Sequence, residues 1–140
     1  MRNRADEARR WYQEAESDLA FARIGRREEF FSKACFLCQQ AGEKALKALA
    51  YGDAERFVVG HSLQEILDLV QPKHPALKRF RDICRLLDQY YIATRYPDAL
   101  PGGTPHRSYT ESQAAEAIAG AEGLLGAIRE ELGGMNIPVE

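Results

Sequence analysis

Apolar residues recur at three- and four-residue intervals through most of the chain, the period that lines one face of an α-helix. Ala8, Trp11, Ala15, Leu19 and Ala22 predict a first helix over about Arg4–Arg26, with Tyr12 widening the stripe. Phe30, Phe31, Ala34, Cys35, Leu37, Cys38, Ala41, Ala45, Leu46, Ala48 and Leu49 predict a second over about Glu28–Tyr51, stopped by Gly52. These cover more than one stripe, the pattern of a central helix or of one shared between a core and a partner. Ser62-Leu63-Gln64-Glu65 reads as a capping box opening a short third helix, which Pro72 and Pro75 terminate. Leu77, Phe80, Ile83, Leu87 and Tyr90/Tyr91 predict a fourth helix from Pro75 up to Tyr96, ended by Pro97. A second capping box, Thr110-Glu111-Ser112-Gln113, opens a fifth that carries Ala114, Ala117, Ile118, Ala121, Leu124, Leu125, Ile128 and Leu132 and stops at Gly133-Gly134. No two-residue alternation persists, so strands are not expected. The pattern implies an all-α fold: an up-and-down antiparallel bundle of four long helices and one short one, a single domain over 1–134 with a frayed tail over 135–140.

Composition narrows the classes. With 19 Lys+Arg against 21 Asp+Glu in 140 residues, there is no whole-molecule basic field of the kind that marks many nucleic-acid binders. No apolar run approaches the ~20 residues that a membrane helix needs. Met1 to Arg10 is charged with no apolar stretch behind it, so a secretory signal is not expected and the location implied is cytoplasmic. Cys35 and Cys38 form a C-x-x-C inside a helical pattern, and Cys84 lies in another. A redox motif needs a preceding strand, and a zinc site needs a second pair or spaced histidines. Buried thiols are the simpler reading. No P-loop, dinucleotide fingerprint, nucleophile elbow or metalloprotease motif occurs, so neither metal nor cofactor is expected.

The segment from Thr94 to Tyr109 is too long for an ordinary bundle connection, which takes ~2–8 residues. It carries Arg95, Tyr96, Asp98, His106 and Arg107 among three prolines. Tyrosines stack on bases and arginines pair with phosphate, although a solvated surface loop has the same composition. Lys78, Arg81 and Arg85 share a helix face leading towards this loop and form either a phosphate-binding strip or a solvated outer face. His61 precedes a helix cap and His74 sits between prolines, so only His106 shares a loop with arginines. Histidine is the side chain suited to proton transfer near neutrality.

Several runs together resemble the HEPN domain (higher eukaryotes and prokaryotes nucleotide-binding). They are Trp11 with Ala15-Glu16-Ser17-Asp18-Leu19, then Cys38-Gln39-Gln40-Ala41-Gly42-Glu43-Lys44-Ala45-Leu46-Lys47, Gly60-His61-Ser62-Leu63, Thr94-Arg95-Tyr96-Pro97-Asp98 and Tyr109-Thr110, in that order over nearly the whole chain. The Arg-Tyr-Pro segment is similar to that of stand-alone members encoded beside a minimal nucleotidyltransferase as toxin–antitoxin pairs. The resemblance implies a helical homodimer that binds RNA or nucleotide, with a minimal nucleotidyltransferase protein as partner. It also implies metal-independent endoribonuclease chemistry from an arginine and a histidine four to six residues apart at the entry to the last helix. The corresponding residues here are Arg95 and His106, with ten residues between them, so the loop must fold back to unite them. Arg56 and His61 have the family spacing but precede the short third helix, and are read as coincidence. In the implied mechanism His106 moves a proton, Arg95 stabilises phosphorane charge, Asp98 orients Arg95, Tyr96 stacks a base and Arg107 holds a phosphate. The alternative implied is a non-catalytic dimeric binding module, in which Arg95, Lys44 and Lys47 recognise a nucleotide or the nucleotidyltransferase.

Overall fold

Helix α1 spans Arg4–Arg27 and α2 spans Phe31–Gly52. The computed structural model describes residues 3–139. A tight turn reverses the chain between these two helices. Glu29 adopts a left-handed φ of 65°, and the Phe30 N–H donates to the Gly25 carbonyl at 2.7 Å. Helix α3 follows over Leu63–Val70, α4 over Arg81–Asp88, α5 over Pro105–Ser108 and α6 over Glu111–Gly134. The molecule is an all-α bundle, with no strand among the described residues.

Helix α2 is the hub, packed against α1, α3, α4, α5 and α6. That is why its apolar residues exceed one stripe: Ala34, Cys35, Cys38, Ala41, Ala45, Leu46, Ala48 and Leu49 are all fully buried. Small residues set the spacing. A Cβ on Gly42 would lie 2.5 Å from Leu63 Cδ2, so only glycine lets α3 approach this closely. On α6, Ala114, Ala117 and Ala121 are fully buried, and Gly120 admits the Ile83 side chain. Burial of the thiols raises Cys35 and Cys84 to about 12 and moves Cys38 in the same direction. All three are free and lie in the core, where burial disfavours the reactive thiolate.

The capping box at Thr110 forms as expected: the Gln113 N–H donates to Thr110 Oγ1 at 3.1 Å, and the Thr110 N–H donates to Gln113 Oε1 at 2.9 Å. At α3 the Ser62 side chain accepts from the Glu65 N–H. The remaining first-turn donors turn to a distant carboxylate, with Leu63 N–H 2.7 Å from Asp88 Oδ1 and Gln64 N–H 3.2 Å from Asp88 Oδ2. An anion at a helix N-terminus is favoured by the unpaired amides and the dipole.

Three expectations need correction. The fourth helix is not one long rod: Pro75–Phe80 is a 3-10 helix, and the α-helical part stops at Asp88. Leu77, Phe80 and Ile83 recur at intervals of three, which suits the eclipsed faces of a 3-10 turn as well as an α-helix. Turns then carry the chain to Arg95, where the Arg95 N–H donates to the Ile92 carbonyl at 3.0 Å. The long connection after it is likewise built, not loose, with Pro97–Ala99 and Pro105–Ser108 each forming a proline-initiated turn. Finally, residues 135–139 of the expected frayed tail are packed, and residue 140 lies outside the described residues. Ile137 and Val139 are buried, and Gly52 leaves room for Met135 and Ile137 at the end of α2.

A buried histidine closes that same end. His74 Nε2 lies 2.8 Å from Asp53 Oδ1 and its Nδ1 lies 2.7 Å from Glu131 Oε1, so one ring joins the chain after α2, the connector after α3, and α6. Replacing it with alanine leaves two facing carboxylates without a donor. His74→Ala is expected to lose about 2–3 kcal/mol of stability by chemical denaturation. Gly42→Ala forces Leu63 away from α2 and is expected to cost ~1–3 kcal/mol in the same measurement.

Candidate functional site

The Arg95 guanidinium is half-buried and has no carboxylate partner among the described residues. Its Nε donates to the Tyr91 carbonyl at 2.8 Å, one turn back. Its Cζ lies 4.5 Å from the centre of the Phe36 ring, 4.7 Å from that of Tyr91 and 5.1 Å from that of Tyr96. Three aromatic faces and a backbone carbonyl therefore hold the cation, while most of its donors remain for a ligand. Asp98 does not orient it, contrary to expectation. Asp98 is exposed in the turn that Pro97 starts, and the aromatic cage and Tyr91 carbonyl do the orienting instead.

The loop does fold back. Arg95 and His106 line one recess of about 270 Å³, together with Lys33, Thr94, Pro97 and Thr104. Thr94 is buried, with its hydroxyl donating to the Tyr90 carbonyl, and this fixes the backbone that delivers Arg95. His106 is exposed, and its ring packs 5.4 Å from that of Phe30 at the start of α2. Lys33 and Phe30 bring in the first turn of α2, which the sequence pattern does not mark. Tyr96 is 52% exposed and Arg107 is exposed, so both lie on the surface of the same segment.

The two lysines expected to bind ligand are held elsewhere. Lys44 pairs with Asp18 at 2.7 Å and lines a separate recess beside Trp11. Lys47 is buried, donates to Glu43 Oε2 at 3.0 Å and lies over the Trp11 ring. Two of the three basic residues on the face of Lys78, Arg81 and Arg85 are paired with carboxylates, which favours the outer-face alternative. Arg81 pairs with Asp68 and donates to Gln71 Oε1 at 3.0 Å, and Arg85 pairs with Asp82 at 2.9 Å.

His61, which the sequence places only before a helix cap, does more than close a turn. Its ring stacks on Tyr91 with centres 4.9 Å apart, on the ring that also supports Arg95. Its Nδ1 lies 3.3 Å from Glu43 Oε2, and its carbonyl accepts from Gln39 Nε2 at 2.9 Å. The Gln-x-x-x-Glu-x-x-x-Lys spacing of Gln39, Glu43 and Lys47 was the available signal, because it places all three on one face of a helix whose other faces are apolar. Among the described residues no group of His, Cys, Asp or Glu has the makings of a metal site.

An apolar groove adjoins the recess and shares Lys33 with it. It has a volume of about 460 Å³ and is lined by Phe21, Ile24, Gly25, Phe30, Phe36 and Leu37 among others. Phe21, Ile24 and Phe30 are exposed. These three cluster at the α1–α2 turn, whereas Phe57 and Val59, which are more exposed still, lie after α2 and outside the groove.

The HEPN domain family model matches residues 8–131. Among solved structures, TT1696 from Thermus thermophilus is 35% identical, with a TM-score of 0.85 over 90% of this chain and 98% of its own. ST0689, an archaeal HEPN homologue, is 32% identical, with a TM-score of 0.74 over 94% of this chain and 99% of its own. A HEPN domain protein from Thermotoga maritima, tm0613, is 27% identical, with a TM-score of 0.70 over 89% of this chain and 98% of its own. No curated protein matches. No helix among the described residues is long and apolar enough to cross a membrane. With the family match extending from the first helix into the last, this chain belongs to the HEPN domain family.

Proposed function

We propose that this HEPN protein binds RNA on the face centred on Arg95 and cleaves it without a metal, as the toxin-like component of a pair with a minimal nucleotidyltransferase. The observation that carries the reading is Arg95 itself. It is a guanidinium held by three aromatic rings, without an anionic partner among the described residues, beside an exposed imidazole and Lys33. An arginine held this way offers its unused N–H donors to an external anion. Phosphate on Arg95 and Lys33, with a base against Tyr96, would set an RNA backbone across the recess. Arg95 would then meet the charge that develops on phosphorus, and His106 would transfer a proton.

Homodimerisation is part of the proposal. A second copy would cover Phe21, Ile24 and Phe30, and the groove's continuity with the Arg95 recess through Lys33 would bring the interface to the site's edge. The second reading is a non-catalytic RNA- or nucleotide-binding module acting with the nucleotidyltransferase. What favours it is that His106 has no hydrogen-bond partner to orient it among the described residues.

Two measurements check the proposal. With labelled RNA and excess chelator, the wild type is expected to cleave, Arg95→Ala to lose about 10²–10³-fold in rate and His106→Ala about 10²-fold. RNA bound but left intact would favour the binding module, and RNA neither bound nor cleaved would remove both readings. In sedimentation, the wild type is expected to run as a dimer, and Phe21→Glu with Ile24→Glu as a folded monomer. A dimer unaffected by those charges would place the interface elsewhere.

A further inference from the structure

We propose that His61 is a catalytic residue of the Arg95 site, taking the proton from the RNA 2′-hydroxyl, with Glu43 as the positioning residue that holds its ring. The assignment rests on the RNA-cleaving reading above and adds to it the base which that reading lacks.

The geometry is that of a carboxylate-backed imidazole. The Glu43 side chain is 6% exposed, whereas that of His61 is 57% exposed. With Nδ1–H donating to Glu43 Oε2, the ring keeps its Nε2 lone pair as a proton acceptor in solvent. Glu43 is itself fixed. Lys47 donates to the same oxygen at 3.0 Å, and Gln39 donates to the other at 3.4 Å. Gln39 also holds the His61 carbonyl, so backbone and ring are positioned from one buried strip of α2. Gly60, with φ 91°, makes the turn that presents His61 beside the Asp88-capped start of α3. A histidine needed only to close this turn would not require its ring to stack on Tyr91, or Tyr91 to carry Arg95 as well. His106, by contrast, has only the Phe30 ring contact.

The step balances with two histidines. His61 Nε2 accepts the 2′-hydroxyl proton, the 2′-oxygen bonds to phosphorus, the bond from phosphorus to the 5′-oxygen breaks, and His106 protonates the departing oxygen. The products are a 2′,3′-cyclic phosphate and a 5′-hydroxyl. One proton is taken and one given, and no further reactant enters.

The test compares ordinary RNA with RNA whose leaving 5′-oxygen is replaced by sulfur, a leaving group that needs no proton. His61→Ala is expected to keep its melting temperature within a few degrees and its KM within a few-fold. Its kcat is expected to fall about 10²–10⁴-fold on both substrates. Added imidazole restores part of that loss. Glu43→Gln lowers kcat less and leaves KM unchanged, and His106→Ala recovers on the sulfur substrate alone. Cleavage by His61→Ala at the wild-type rate overturns the assignment while leaving the RNA-cleaving reading intact. Recovery of His61→Ala on the sulfur substrate overturns its role as the base. A wild type that cleaves neither substrate overturns the functional reading and this assignment together.

Discussion

The buried ion pair between Glu43 and Lys47, in the middle of the central helix, is the constraint on which the site depends. Both side chains are almost wholly removed from water, at 6% and 8% exposure. Desolvating two charges is costly, and a pair of apolar side chains would fill the space as well. What the pair does is direct polar groups. Glu43 holds His61, Gln39 holds the His61 backbone, and Lys47 is covered by the Trp11 ring. The turn before α3 is thereby locked to α2, and the His61 ring is set on Tyr91. Tyr91 supports Arg95 with its ring and its carbonyl, so the guanidinium and the imidazole that Glu43 holds meet on one aromatic ring.

The bundle around this strip is built from close approaches. Gly42 brings α3 onto α2, and Gly120 seats Ile83 of α4 on α6. Asp88 at the end of α4 accepts the first amides of α3. These contacts fix where the chain leaves α4, and hence where the turns ending at Arg95 begin. The recess follows from that exit, because the two proline-initiated turns after Arg95 return His106 to the first turn of α2.

Where the chain's own neighbours decide the structure, the sequence was readable. Helices α1, α2 and α6 follow from apolar periodicity, and Thr110 with Gln113 form the expected box. The fourth helix was overextended because spacing by three suits two kinds of helix, and because the Asp88 carboxylate is drawn to amides more than twenty residues earlier in the chain. The tail looked frayed because the space that takes Met135 and Ile137 is made by Gly52, far away in sequence. At the site, Arg95 and His106 share one loop and were visible together. Lys33, Phe30 and Phe36 were not, because they come from another element. Lys44 is held by Asp18, which comes from another helix and is invisible to spacing along α2, whereas Glu43 lies four residues from Lys47 and only the burial of that pair was hidden. The contacts of His61 were hidden for the same reason as the Lys44 pair, since its carboxylate lies on α2 and its stacking partner beyond α4.

The central claim is that Arg95 and the rings around it form the RNA-binding face of this protein. The most direct measurement is a nuclear magnetic resonance titration of isotopically labelled protein with a short RNA whose 2′-hydroxyls are methylated, so that it binds without reacting. The account predicts saturable shifts concentrated at Arg95, Tyr91, Tyr96, His61 and His106, with the Trp11 recess unchanged. Shifts centred on Trp11 and Lys44, or none at millimolar RNA, would contradict it.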